Sequence, residues 1–263
     1  MKKHKKMGVS ARALATGGIL LSRRPCIRMF EGLLGHEDCR ALQLTAASRM
    51  GACELSETGG AAGHERSSTG CWLPRHDAPQ RVWREFGGDH STHDLVKSVE
   101  ILIAESCGIP ISHGEPMQIL RYRNGQRYET HPDFFDPRDR AELANGGQRV
   151  MTCLIYLASL PASWGGATVF PDANIRVQPV AGRAIIWRNV RSDGAVDPSS
   201  VHAGALVRRP KRRFQGHDGD VSAAAHEKWV LSKWIRARPF QCDHSPGLFR
   251  GGGTGGSRNL TDV

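Results

Sequence analysis

The sequence predicts an α+β fold, namely a double-stranded β-helix (jelly-roll) core with N-terminal supporting helices. Before residue 110 the apolar residues have mostly helical spacing, whereas from Met117 onward short apolar runs are separated by glycine and proline. Helices followed by many short strands are typical of an α+β plan with a double-sheet jelly roll. The 263 residues are enough for one sizeable core.

Three segments of the first half have the apolar spacing of amphipathic helices, at 36–49, 79–86 and 93–107. The first should turn four residues toward the core, Cys39, Leu42, Leu44 and Ala46. Gly108, just before Pro110, is typical of a helix end. Residues 27–34 indicate a strand and turn, and residues 68–73 a further strand.

Eight strands are predicted in the second half, at 117–123, 127–133, 149–157, 167–170, 174–178, 183–188, 201–207 and 228–236. Asn124-Gly125 is a turn sequence, so the first two strands are predicted to form a hairpin. The last two strands are also expected to pair, with a long loop between them, because lengthening a loop costs little free energy.

Three regions follow along the chain. Residues 1–24 form a basic leader that is a signal peptide, a transit peptide or a disordered arm, and their apolar stretch is too short to span a membrane. Residues 25–240 form the domain, with an insertion at about 208–226. Residues 241–263 form a Gly-rich tail, expected to be disordered.

The net charge of +10 is concentrated in the leader and the insertion, and no nucleic-acid-binding motif accompanies it, so no nucleic-acid partner is expected. The seven cysteines contain no Cys-x-x-Cys spacing, which argues against a zinc ribbon or a thioredoxin-type motif. A disulfide among Cys39, Cys53 and Cys71 is possible, but the sequence does not define it.

The candidate metal ligands are His131 and Asp133, in the sequence His-Pro-Asp, together with the distant His202. Two histidines and one carboxylate form the facial triad that holds non-haem Fe(II) and leaves coordination positions open. Residues two apart on a strand point to the same face, so His131 and Asp133 can act together.

A second such pair, His36 and Asp38, has a simpler interpretation. It lies at the predicted start of a helix, where Glu37 and Asp38 complement the positive N-terminal end of the helix dipole.

Five blocks in order carry a resemblance to a known family: 65–73 (ERSSTGCWL), 117–135, 149–157, 165–171 (GGATVFP) with 182–187, and 197–204 with 227–235. Over residues 25–240 the chain resembles the prolyl 4-hydroxylases, which are Fe(II)- and 2-oxoglutarate-dependent dioxygenases. The order of the blocks, more than any one of them, is specific.

The resemblance implies a role for each matching residue. His131, Asp133 and His202 would bind Fe(II) and are the catalytic set. Lys228, Tyr122 and Thr168 would bind 2-oxoglutarate, since a buried dianion needs a fixed cation and hydroxyl donors. Arg212 lies at the family's usual distance from His202, but Lys228 has the matching strand sequence after it. The substrate groove would be lined by three residues, Arg149, Tyr128 and Trp234.

The implied activity is hydroxylation of peptidyl proline in a proline-containing peptide or protein, with Fe(II), 2-oxoglutarate, O2 and ascorbate as cofactors and co-substrates and with succinate and CO2 as products. The resemblance suggests the endoplasmic reticulum or secretory pathway. Two alternatives remain: a 2-oxoglutarate oxygenase with a different substrate, and an inactive jelly roll that binds peptides.

Overall fold

The structure, a computed structural model, describes residues 17–52, 67–208 and 227–242. The strands are β1 (Ile19–Arg23), β2 (Cys26–Phe30), β3 (Gly51–Ala52), β4 (Thr69–Leu73), β5 (Met117–Tyr122), β6 (Tyr128–His131), β7 (Arg149–Tyr156), β8 (Thr168–Phe170), β9 (Ile175–Val177), β10 (Ala184–Arg188), β11 (His202–Gly204) and β12 (Lys228–Arg236). The helices are α1 (His36–Ala47), α2 (Gln80–Phe86), α3 (His90–Cys107) and α4 (Arg140–Ala144).

The strands form two sheets. The major sheet has eight strands in the order β1-β2-β10-β7-β12-β5-β4-β3, and the minor sheet has four in the order β6-β11-β8-β9. Every strand pairing within them is antiparallel. One apolar cluster combines side chains of both sheets, including Phe170 and Val177 of the minor sheet and Tyr156 and Val230 of the major sheet. The sheets therefore face each other, and the predicted jelly roll is confirmed.

The helices cover the other face of the major sheet. A second apolar cluster joins α1, α2 and α3 to inward-facing residues such as Ile119, Ile155 and Leu231. Alternate residues of a strand point to opposite faces, so the central strands contribute to both clusters.

Helix α1 differs in one respect from its prediction. Cys39, Leu42 and Ala46 are buried, but Leu44 is 63% exposed, so its expected place in the core was wrong. Positions 39, 42 and 46 lie on one helical stripe, while position 44 is turned away from it.

Helix α3 begins three residues earlier than predicted. Asp89 precedes it, and the Asp89 carboxylate accepts a hydrogen bond from the Thr92 amide at 2.8 Å, which satisfies one of the free N–H groups of the first turn. The predicted end at Gly108 is confirmed, and this glycine has a left-handed φ of 64°.

The predicted hairpin between β5 and β6 was wrong. Strand β5 pairs with β4 and β12 in the major sheet, whereas β6 pairs with β11 in the minor sheet. The Asn124-Gly125 turn therefore crosses from one sheet to the other. Gly125 has a φ of 83°, and its amide donates to the carbonyl of Val207 at 2.8 Å.

The expected pairing of the last two strands was also wrong. Strand β11 pairs with β6 and β8, and β12 pairs with β5 and β7. The chain between them connects the two sheets, and residues 209–226 of the predicted insertion lie outside the described residues.

The first strand lies in the segment that we assigned to the leader. Strand β1 begins at Ile19 and pairs with β2, so the sheet starts before the boundary at residue 25. Residues 1–16 and the tail from 243 onward lie outside the described residues. Within the described part of the chain, no helix is long and apolar enough to cross a membrane.

Cys39 and Cys71 are both buried, and no disulfide joins these two. The third cysteine considered above, Cys53, lies outside the described residues.

Candidate active site

The two predicted histidine ligands lie opposite each other on neighbouring strands. His131 ends β6 and His202 begins β11, and their Cα atoms are register partners. Asp133 lies two residues past the end of β6. One potential ligand atom from each of the three residues lies within 4.8 Å of the others, and no other such metal-ligating group occurs among the described residues.

Backbone carbonyls fix the orientation of both imidazole rings. His131 Nδ1 lies 2.7 Å from the Glu129 carbonyl oxygen, and His202 Nδ1 lies 3.1 Å from that of Ser200. Since a carbonyl only accepts, each Nδ1 carries a proton, and Nε2 is the ring nitrogen that faces Asp133. His131 Nε2 is 3.8 Å from Asp133 Oδ1, and His202 Nε2 is 3.6 Å from Asp133 Oδ2.

Asp133 is buried, and its carboxylate is held ionised. Burial raises the pKa of Asp133, but the charges of His202, His131 and Arg149 and a hydrogen bond from Thr152 outweigh it, so the pKa is lowered. Thr152 Oγ1 donates to Oδ2 at 2.7 Å, and Asn189 Nδ2 donates to Thr152 Oγ1 at 2.9 Å.

This donor set fits Fe(II). It offers two imidazole nitrogens and one carboxylate, without any thiolate, which is the ligand set of non-haem Fe(II) oxygenases. The second nitrogen of each ring is bonded to a carbonyl, as is usual for metal-binding histidines.

Aromatic rings pack around the histidines and hold them in place. The Tyr128 ring stacks on His131 with centroids 3.6 Å apart, and Trp187 meets His202 at 4.6 Å. Phe170 is 5.7 Å from His202. The rings limit the rotation of both ligands.

The three residues predicted to bind 2-oxoglutarate come together between the sheets. Lys228 on β12 is the register partner of Tyr122 on β5, and its amine lies 5.0 Å from the centre of the Tyr122 ring. A Cβ atom added to Gly204 would be 3.5 Å from Lys228 Nζ, so the amine lies close to β11.

Thr168 reaches the same place from the minor sheet. It is the register partner of Gly204, and opposite residues of an antiparallel pair share a face. Tyr156 OH lies 2.7 Å from Thr168 Oγ1 and 2.9 Å from the Val177 carbonyl oxygen. The Tyr156 hydroxyl has one proton, which it can give to Thr168 Oγ1 or to the Val177 carbonyl; when Thr168 receives it, the proton of Thr168 is available to a ligand.

Lys228 is a buried lysine that meets no carboxylate of the described residues. Only 2% of the residue is exposed, and among the described residues no carboxylate pairs with its amine. Desolvation lowers the pKa of Lys228 from 10.5 to about 7. An anion bound here would restore the charged form.

Two of the three predicted groove residues, Arg149 and Trp234, lie against each other. The guanidinium of Arg149 makes two hydrogen bonds with Glu115, at 2.7 and 2.8 Å, and lies between the rings of Phe135 and Trp234. Trp234 is the register partner of Thr152 and packs 5.8 Å from Trp72. Tyr128 lies against His131 instead, and is only partly buried.

The sequence analysis gave no role to four residues of this site, Thr152, Asn189, Tyr156 and Glu115. A signal for two of them was present. Thr152 is a polar residue within the largely apolar strand β7, and Asn189 lies two positions after Trp187, on the same side of the chain. Glu115 gave no signal, because its partner Arg149 is distant in sequence.

The comparisons with known proteins agree with this geometry. The family model described as 2OG-Fe(II) oxygenase superfamily matches residues 117–236. Probable prolyl 4-hydroxylase 3 of Arabidopsis thaliana is 30% identical over 244 residues, with 84% of this chain and 73% of the relative covered. Prolyl 4-hydroxylase 2 of the same plant is 27% identical, with 84% and 70% covered.

Solved structures share the fold. The viral collagen prolyl hydroxylase of Paramecium bursaria Chlorella virus 1, solved with 2OG, aligns with a TM-score of 0.54 at 24% identity, covering 80% of this chain and 96% of that one. A Pseudomonas putida prolyl-4-hydroxylase aligns at 0.51 and 18%, covering 87% and 98%. Sequence and fold agree with the resemblance inferred from the motifs: the chain belongs to the prolyl 4-hydroxylase family of 2OG-Fe(II) oxygenases.

Proposed function

We propose that this protein hydroxylates proline residues of a peptide or protein, with Fe(II), 2-oxoglutarate and O2, and releases succinate and CO2. One observation carries the proposal: a buried His-Asp-His cluster and a buried lysine, with which no described carboxylate pairs, lie in the same space between two sheets. The relatives named as prolyl 4-hydroxylases support proline as the substrate.

His131, Asp133 and His202 would hold the iron on one face of its coordination sphere. When bound, iron supplies the activation of oxygen and the oxidation of a substrate C–H bond. The bonds of both Nδ1 atoms to backbone carbonyls would leave Nε2 of each ring to face the metal, and Asp133 would supply the negative charge. All three ligands are at most 7% exposed, which excludes bulk water from one side of the site.

Lys228 and Thr168 would bind the distal carboxylate of 2-oxoglutarate, with Tyr122 beside them. The lysine supplies the charge and the threonine a hydroxyl, which together satisfy an anion in a buried place. The other end of the co-substrate, the keto acid, would then face the three iron ligands.

Arg149, Trp234 and Tyr128 would contact the peptide. Arg149 uses Nε and Nη2 for Glu115, so this carboxylate presents the guanidinium in one orientation. Trp234 lies beside it, partly buried, and offers an apolar surface for a proline ring.

The proposal is tested with proline-rich peptides, Fe(II) and 2-oxoglutarate, by measuring succinate release and the mass of the peptide. We expect a gain of one oxygen atom per modified proline, and no turnover in the His131→Ala and His202→Ala variants. Succinate release without a change of peptide mass would favour an oxygenase for a different substrate. No succinate from any substrate would favour the inactive peptide-binding alternative.

The family resemblance also supports ascorbate as a reductant and the secretory pathway as the place of action. Dependence of sustained turnover on ascorbate, and the fate of a tagged full-length chain in cells, test these two proposals.

A further inference from the structure

We propose that Thr152, held in place by Asn189, positions the Asp133 carboxylate so that Oδ1 is the oxygen offered to iron. The inference rests on the proposed iron site. Neither Thr152 nor Asn189 contacts the histidine nitrogens that would bind the metal. Both residues would act through Asp133.

The directions of the two hydrogen bonds follow from the chemistry of the groups. Thr152 is the donor, so its single hydroxyl proton points to Oδ2 of Asp133 at 2.7 Å. The threonine oxygen must therefore accept at its other contact, and the group that donates there is Asn189 Nδ2, at 2.9 Å. This arrangement fixes which end of the Asn189 amide faces Thr152.

Asn189 is rigidly placed. Its amide N–H donates to the Val150 carbonyl and its own carbonyl accepts from the Asp197 amide, both at 2.9 Å, and the residue is fully buried. Its side-chain Oδ1 has no hydrogen-bond partner among the described residues. A buried acceptor without a partner is unfavourable, so stability alone does not account for this placement of the amide, and the bond from Nδ2 to Thr152 has a further use.

The fold restricts the position of Asp133 less than the positions of the two histidines. Both histidines belong to paired strands, whereas Asp133 lies beyond the end of β6 in a loop. Thr152 belongs to β7 in the major sheet, between Trp187 and Trp234 in register. The bond from Thr152 thus ties the one loop ligand to the opposite, rigid sheet.

The bond leaves the two carboxylate oxygens in different states. Oδ2 is engaged by Thr152, and Oδ1 accepts no hydrogen bond from the described residues while it lies 3.8 Å from His131 Nε2. Without Thr152 the carboxylate is free to rotate and to present both oxygens. The affinity of the site for a metal ion, and the coordination of that ion, would then both change.

The experiment compares Thr152→Val with Thr152→Ser. Valine keeps the branched shape and removes the hydroxyl, and serine keeps the hydroxyl. Co(II) is the probe, because it takes the same ligands and has a visible absorption spectrum that reports coordination. We expect Co(II) affinity about 10–100-fold lower with an altered spectrum for Thr152→Val, and affinity and spectrum near the wild type for Thr152→Ser.

Two further variants separate the possible outcomes. Thermal unfolding of the metal-free proteins should show that Thr152→Val is folded, since Gln148 holds the loop after Asp133 through two 2.8 Å bonds to the Phe135 backbone. His202→Ala reports on the metal site itself: equal Co(II) binding by wild type and His202→Ala would overturn the proposed iron site. Normal wild-type binding together with unchanged affinity and spectrum in Thr152→Val would overturn only the positioning role.

Asn189→Ala should weaken Co(II) binding less than Thr152→Val, because the threonine proton remains available to Oδ2. A wild-type affinity and spectrum in Asn189→Ala would overturn the part assigned to Asn189.

Discussion

Two buried lysines on strand β12 have opposite surroundings. Lys228 and Lys233 are each 2% exposed, but their odd spacing places them on opposite faces of the major sheet. Lys233 faces the helices and forms an ion pair with Glu100, which also accepts hydrogen bonds from the ring and the backbone amide of His76, at 2.6 and 3.0 Å. Lys228 faces the minor sheet, and no described carboxylate pairs with it.

The two lysines differ in what their charge does for the protein. Burial raises the pKa of Glu100, but Lys233 and His76 outweigh it and lower this pKa to about 2, so the carboxylate stays ionised and paired. Burial alone acts on Lys228 and lowers its pKa to about 7. A buried charge without a partner destabilises the fold, and the co-substrate proposed above would supply that partner. The predictions below test this difference between the two faces.

The largest effect is expected for Lys228→Met. We expect 2-oxoglutarate affinity to fall about 100-fold or more, because a distal carboxylate would then be buried without a cation. The free energy of unfolding should stay the same or rise, since an apolar side chain replaces an unpaired amine. Calorimetric titration with 2-oxoglutarate and chemical denaturation measure the two quantities. Unchanged 2-oxoglutarate affinity would remove Lys228 from the co-substrate site.

Lys233→Met should show the reverse pattern. The free energy of unfolding should fall by about 3–5 kcal/mol, because Glu100 loses its ion-pair partner inside the protein. The affinity of the folded protein for 2-oxoglutarate should remain near the wild type. The double variant Lys233→Met/Glu100→Gln is the matched control, and it should recover part of the lost stability. A variant as stable as the wild type would show that the pair contributes little.

The pH dependence of 2-oxoglutarate binding should reveal Lys228. Its pKa in the free protein is lowered to about 7, and a bound dianion raises it again. Binding therefore takes up a proton above pH 7, and affinity should fall by up to tenfold per pH unit there, with no loss below pH 7 from this group. Lys228→Met should flatten this part of the profile. A flat wild-type profile between pH 7 and 9 would contradict the assignment.

The smallest effect is expected for Tyr156→Phe, which removes the hydroxyl that is hydrogen-bonded to Thr168. We expect a loss of about 1–2 kcal/mol in the free energy of unfolding, and a few-fold weaker binding of 2-oxoglutarate. Thr168→Val should weaken 2-oxoglutarate binding at least as much, because it removes the donor itself. Tighter binding in Tyr156→Phe would mean that Tyr156 competes with the ligand for Thr168.

Much of the fold could be predicted because strand and helix periods are local signals. Strand β12 begins and ends where the alternation in 228–236 predicted, and the triad follows from the motif at His131 and the later His202. The pairing of strands could not be predicted in the same way. Asn124-Gly125 forms a turn whether β5 and β6 pair as a hairpin or lie in different sheets. Only the packing of the two sheets determines that β5 and β6 lie in different ones.

Parts of the site escaped prediction for a similar reason. Thr152 and Asn189 are meaningful only beside Asp133, which is 19 and 56 positions away (152 minus 133, and 189 minus 133). Leu44 shows the converse limit, since it is apolar but lies off the buried stripe of α1. Residue type suggests burial, and geometry decides it.

The crossing turn between β5 and β6 has a consequence for the evolution of this enzyme. Tyr122 and Tyr128 lie on opposite walls of the cleft, and only five residues separate them (123–127). The Gly125 amide donates to the Val207 carbonyl, and the Val207 amide donates to the Gln126 carbonyl. Because both bonds hold the turn against the same residue, the connection acts as a spacer of fixed length. Lengthening this turn by one residue would break these two bonds or shift β6, which carries His131, relative to β5, which carries Tyr122. A change in the length of this turn would therefore alter the predicted iron site and the predicted co-substrate site together.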